Sequence, residues 1–162
     1  MKKIHDEAVL IFGLGLSYLL LILTTYFNSI YLLWGSLLVI VIIAVFYSIT
    51  FYKSETPYQK LLYYLLTLFF LIGYFAVVYK SFGIVDSSTG DTIKPNWLNS
   101  LYFSVVTWTT LGYGDFRPTE DMKIWVMVEA IMGYIFMGLL IGKVLFVSNA
   151  KAYKKNITSP SN

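Results

Sequence analysis

Thr110-Leu111-Gly112-Tyr113-Gly114-Asp115 is the stretch on which the interpretation of this chain turns. Glycine reaches positive φ without steric cost, so two glycines one residue apart let successive carbonyl oxygens point the same way. Thr110 can add a hydroxyl oxygen at one end, and Asp115 a carboxylate at the other. Leu111 and Tyr113 would point away from that line of oxygens and wedge the loop against surrounding protein. The plainer alternative is a glycine-rich turn between two helices.

What surrounds the stretch argues against a simple turn. Leu101-Tyr102-Phe103-Ser104-Val105-Val106-Thr107-Trp108-Thr109-Thr110 runs straight into it, with one apolar helix before the pair and another after. Together these residues resemble the pore helix and selectivity filter of potassium channels, where four such loops replace an ion's hydration shell with carbonyl oxygens. The resemblance covers the second half of the chain. It implies potassium ions bound by the carbonyls of Thr110, Leu111, Gly112 and Tyr113, with Gly114 completing the filter and the Thr110 hydroxyl at its inner end. The intact Tyr113 implies potassium over sodium. A closed filter needs four loops, so one copy per chain implies a homotetramer. No cofactor is implied beyond the permeant ion.

Composition agrees. The chain is 57% hydrophobic, 19% aromatic and only 13% charged, whereas a soluble domain is usually about 25% charged. It is an integral membrane protein in a lipid bilayer, without cysteine and therefore without thiol chemistry. The net charge of +3 is small, and the lysines sit at segment ends rather than in a patch suited to nucleic acid. The single histidine, His5, lies at the terminus as a solvated residue, and no cluster of metal ligands exists. These features exclude most enzyme classes.

A bilayer core of about 30 Å needs roughly 20 apolar residues in helix. Four segments qualify: Ala8–Phe27, Ile30–Tyr52, Leu61–Tyr79 and Met122–Val147. The first follows Lys2 and Lys3, but it is too long for a signal-peptide core and ends in no small-residue cleavage site, so it is a retained helix. Trp97–Thr109 is too short to span and suits a re-entrant helix, which is tolerated at membrane depth only when protein or a water-filled cavity surrounds it. The predicted fold is an all-α membrane protein. It has a two-helix module over residues 1–56, a pore module over residues 57–150 and a polar tail, expected to be disordered, over residues 151–162. Within the pore module, residues 81–96 form a polar turret that Pro95-Asn96 ends by capping the pore helix.

Charge placement sets the orientation. With the filter facing outward, both termini and the loop at 53–60 are cytoplasmic and carry Lys2, Lys3, Lys53, Lys60, Lys151, Lys154 and Lys155. Outside, Lys80, Lys94, Arg117 and Lys123 are offset by Asp86, Asp91, Asp115, Glu120 and Asp121. The lysine excess inside follows the positive-inside rule and places the protein in the cell membrane.

Several residues are candidates to support the filter. Asp115 either concentrates cations at the mouth or bonds behind the filter, where the resemblance makes Tyr102 its partner. Some relatives carry a pore-helix carboxylate where this chain has Val106. Glu129 is the one acid within an apolar helix, and such residues are costly and functional by default. It can brace the back of the pore helix through donors on Thr107, Thr109 and the Trp108 indole, pack between helices with an ordinary partner, or face the pore. Gly133, with Gly138 as second choice, lies near the hinge glycine of relatives, although glycine also serves close helix packing. Below it Tyr134, Met137, Ile141 and Leu145 would line a cavity and inner gate, and Lys143 would snorkel to the interface.

The first two helices carry no regular series of basic residues, so they are no voltage sensor. The gate candidates are then the filter, membrane tension, pH through Glu129, or a separate regulatory subunit. The function these features imply is passive conduction of potassium. A weakly selective cation channel and a subunit of a potassium-uptake transporter are the alternatives.

Overall fold

The computed structural model describes the backbone of residues 2–27, 29–54 and 57–158, and side chains within 6–27, 29–54 and 60–149. His5, Lys2, Lys3, Lys151, Lys154, Lys155 and residues 159–162 therefore lie outside what it describes at side-chain level. Five helices carry the fold: α1 (Lys2–Phe27), α2 (Ile30–Lys53), α3 (Pro57–Phe82), α4 (Trp97–Trp108) and α5 (Lys123–Thr158). Four contain spans long and apolar enough to cross a membrane, Asp6–Phe27, Ile30–Lys53, Lys60–Phe82 and Glu120–Asn149. Each expected span is present, extended by a few residues. The protein is a multi-pass membrane protein. The tail does not break away at Lys151, because α5 continues to Thr158.

α4, at 12 residues, is about 18 Å long at ~1.5 Å per residue, well short of the bilayer core. It starts where expected: the Asn96 side chain accepts from the Asn99 N–H at 2.8 Å. That satisfies one of the amides orphaned at a helix start.

The turret is more ordered than its turn-rich composition predicts. β1 (Ile84–Asp86) pairs antiparallel with β2 (Thr92–Ile93) on one side and with β3 (Phe116–Arg117) on the other. Val85 opposes Arg117 and Asp86 opposes Phe116. The strand that leaves α3 is therefore hydrogen-bonded to the segment that leaves the Thr110–Asp115 loop. A short 3-10 turn, Glu120–Met122, then leads into α5.

Several polar groups inside the bundle find partners, as a waterless interior favours. The Tyr18 hydroxyl donates to the Phe70 carbonyl at 2.7 Å, and Ser36 and Tyr74 share a hydrogen bond of 2.7 Å. Three rings link three helices: Phe51 of α2 stacks on Tyr64 of α3 at 4.2 Å, and Tyr64 stacks on Phe136 of α5 at 4.7 Å. Trp108, at the end of α4, meets Phe136 edge-on at 5.7 Å.

Lys143 does not snorkel. Its residue is 7% exposed, and its ammonium donates to the carbonyls of Tyr52 and Ser54 at 2.7 and 2.8 Å. Those carbonyls sit at the C-terminal end of α2, where the helix dipole favours a cation. The acceptors lie closer than the interface, so the side chain turns inward.

Candidate functional site

The loop from Thr110 to Asp115 alternates in backbone hand. Thr110, Gly112 and Gly114 have φ of 55°, 57° and 83°, while Leu111 and Tyr113 are not left-handed. Alternation of this kind turns successive carbonyls to one side of the chain. A Cβ built on Gly112 or Gly114 would meet nothing within 4 Å. Glycine is there for its conformation, not for lack of space. Thr110 has no such excuse. A β-branched residue at positive φ is a genuine outlier, and strain of this kind persists where surroundings and function enforce it. The sequence predicted a hydroxyl at this position, not a strained backbone.

The start of the loop is fixed by the end of α4. The N–H groups of Thr110 and Leu111 donate to the carbonyls of Thr107 and Val106, both at 3.0 Å. The Thr110 hydroxyl donates to the Thr109 carbonyl at 2.7 Å, which leaves its lone pairs free to face an ion. The other end is fixed by the turret. The Ser87 N–H donates to the Asp115 carbonyl at 2.9 Å, and Arg117 Nε donates to the Ser87 hydroxyl at 3.1 Å. The sequence marks Arg117 only as an outer charge and gives no sign of its tie to Ser87, because strands as short as β1 and β3 show no periodicity. The pairing of Tyr102 with Asp115 is present as an interaction of hydroxyl with carboxylate. The Tyr113 ring lies parallel to that of Tyr102 at 6.4 Å.

Every residue from Thr109 to Asp115 is exposed in the single chain, Leu111 at 57% and Tyr113 at 68%. Tyr134, Met137, Ile141 and Leu145 of α5 are exposed as well.

Glu129 is fully buried behind α4, but its partners differ from those expected. The Tyr79 hydroxyl of α3 donates to Glu129 Oε2 at 2.5 Å, and Ser104 Oγ of α4 lies 2.5 Å from Oε1. Thr109 instead bonds back to the Val105 carbonyl, and the Trp108 indole N–H has no partner among the described residues. The reason is helical phase. α4 and α5 run side by side in the same direction, so Glu129 meets Ser104 and, one turn on, Gly133 meets Trp108. A Cβ on Gly133 would sit 2.2 Å from the Trp108 carbonyl oxygen. At Gly133 the helices pack too closely for a side chain, and α5 passes through Gly133 and Gly138 without a break.

Residues 68–147 match the family described as "Ion channel". Over 94 residues the chain is 33% identical to the two pore potassium channel a of Oryza sativa subsp. japonica, covering 57% of this chain and 26% of that protein. Over 87 residues it is 33% identical to two-pore potassium channel 4 of Arabidopsis thaliana, covering 49% of this chain and 30% of that protein. Over 73 residues it is 36% identical to the TWiK family of potassium channels protein 7 of Caenorhabditis elegans, covering 44% and 12%. The matched segment thus spans less than a third of each of these relatives. No solved structure matches the chain.

Proposed function

We propose that this chain, through residues 68–147, belongs to the potassium channel pore-loop family, as the match to the ion-channel family and the likeness to potassium channels support, and that four copies of it form a channel that conducts K+ passively across the cell membrane. The family is one of channels, not enzymes. The alternating hand of Thr110–Gly114 is the observation that carries the reading, since it lines up carbonyl oxygens as a dehydrated K+ needs. The ions bind at the carbonyls of Thr110, Leu111, Gly112 and Tyr113, with the Thr110 hydroxyl at the inner end, and no other cofactor takes part.

The assembly follows from what the single chain leaves uncovered. Irregular backbone at membrane depth must be surrounded by protein or line a water-filled cavity, and here the loop, Leu111 and Tyr113 are open. Three further copies would cover them. Both termini face the cytoplasm, on the strength of the lysine bias. Asp115 concentrates cations at the outer mouth, and Glu129 braces α4 from behind. Gly133 is committed to packing, which leaves Gly138 free to flex.

The test is the reversal potential of the purified protein in planar bilayers under a potassium–sodium gradient. A value close to the potassium equilibrium potential is expected. A value near zero under equal and opposite gradients would favour the weakly selective cation channel and overturn the assignment.

A further inference from the structure

We propose that Glu129 is a neutral, proton-bearing link in a directed hydrogen-bond chain, Tyr79 to Glu129 to Ser104 to Ile72, and that Tyr79 and Ser104 are positioning residues for the filter. The proposal deepens the bracing role given to Glu129 and rests on it for its functional consequence. Its chemical content stands apart, on a count of protons.

Three oxygen–oxygen contacts meet at this site. Tyr79 Oη lies 2.5 Å from Glu129 Oε2, Ser104 Oγ lies 2.5 Å from Glu129 Oε1, and Ser104 Oγ lies 2.8 Å from the Ile72 carbonyl. Each needs a proton between its oxygens, because two lone pairs at such distances repel. A carbonyl supplies none, and the Tyr79 and Ser104 hydroxyls supply one each. With an ionised carboxylate the count is two protons for three contacts. Placing the third on Oε1 closes it. Tyr79 donates to Oε2, Glu129 donates to Ser104, and Ser104 donates to Ile72. Every donor then has one acceptor.

The surroundings favour the same state. Tyr79, Ser104 and Glu129 are all 0% exposed. The groups that act on Glu129 are Tyr79 from α3 and Ser104 from α4, and no basic side chain among the described residues pairs with it. A lone carboxylate in such a place carries a large uncompensated desolvation penalty. A carboxylic acid carries none and still joins three elements: the backbone of α3 at Ile72, the middle of α4, and α5. α4 is the helix whose last turn holds the N–H groups of Thr110 and Leu111 in place, so its position sets that of the filter.

A glutamine reproduces this pattern, with its NH2 donating to Ser104 and its carbonyl accepting from Tyr79. The experiment compares wild type with Glu129→Gln by infrared difference spectroscopy of the purified protein at neutral pH, where exposed carboxyl groups are ionised. The C=O stretch of a protonated carboxyl should be present in wild type and absent from Glu129→Gln. A carboxylate band in its place overturns the proton assignment, whether or not the protein conducts. The functional arm measures K+ flux in vesicles. Glu129→Gln should match wild type, while Ser104→Ala and Tyr79→Phe should each lower flux by about tenfold, the scale of one buried group left without its partner. If both variants conduct as wild type while the protonated band is present, the proton assignment stands and the positioning role falls. Absence of K+ flux from wild type would sink the channel assignment and leave the spectroscopic result to decide the chain of protons.

Discussion

The carbonyl oxygen of Trp108 rests against the bare Cα of Gly133, where a Cβ would come within 2.2 Å of it and 3.0 Å of the carbonyl carbon. Neither atom can move without moving the end of α4, and with it the loop that follows. Gly133→Ala should therefore displace the loop, with a cost of about 1–3 kcal/mol from overpacking and loss of potassium selectivity. At Gly138 a Cβ meets nothing within 4 Å of the chain, so Gly138→Ala should leave the fold intact and gain up to ~1 kcal/mol of helix propensity. Thermal unfolding in detergent, with flux in vesicles, separates the two. Equal behaviour of both variants would show that the contact at Gly133 is relaxed at little cost.

Removing potassium should destabilise the protein. Thr110 at φ 55° holds strain of about 1–3 kcal/mol, and carbonyls facing one side repel one another. An ion among them offsets both terms. A ligand at 100 times its dissociation constant stabilises by about 2.7 kcal/mol, so the melting temperature of the assembly should fall when K+ is exchanged for Na+. Identical melting in the two salts would mean that the loop is not an ion site. Tyr113→Asp, which removes the ring stacked on Tyr102, should weaken the difference and loosen selectivity.

The turret carries its own pH dependence. The Ser88 hydroxyl donates to Asp86 at 2.6 Å and the Ser88 N–H at 2.8 Å, and together they hold the Asp86 carboxyl below its ordinary value of 3.8. A lowered folded-state value means stability that is fully present above the unfolded value, about 3.9, and lost as pH falls through the folded one. The turn should therefore be unaffected between pH 8 and about 5 and loosen only in stronger acid. Asp86→Asn keeps an acceptor and cannot titrate. Its melting temperature should fall less than that of wild type as pH drops below about 4. Superimposable pH curves would remove Asp86 from the account.

Much of this was legible in the chain itself. Span lengths follow from apolar runs, and the polar break at Asn96 marks the start of α4. The left-handed turns of the 110–115 loop are legible at Gly112 and Gly114, because only glycine takes positive φ freely. Other features depend on relations that no local pattern carries. β1 meets β3 across the intervening residues 87–115, with strands of three and two residues. The burial of Glu129 could be read, but not its partners, since one turn of helical phase decides between Ser104 and Trp108. Thr110 conceals its strain because threonine ordinarily avoids that conformation.

Lys143 supplies the last prediction, and it bears on what the first two helices do. Its ammonium joins α5 to the end of α2, while higher up Phe51, Tyr64 and Phe136 stack α2, α3 and α5 together. Two contacts of different chemistry thus tie the N-terminal pair of helices to the helix that would form the inner gate. Lys143→Met keeps most of the stem volume and removes the ammonium's hydrogen bonds to the Tyr52 and Ser54 carbonyls. Bonds to a charged donor are worth about 1.5–3 kcal/mol, so the variant should melt lower and α2 should separate from α5 at that end. Cysteines introduced at Ser54 and Val144 would report the separation as a slower disulfide cross-link in Lys143→Met than in the lysine background. Lys143→Arg, with its charge kept but its fork of donors differently placed, should fall between. If the cross-linking rate and melting temperature of Lys143→Met match those of the parent, the ammonium is a passenger and the aromatic stack alone holds the helices together.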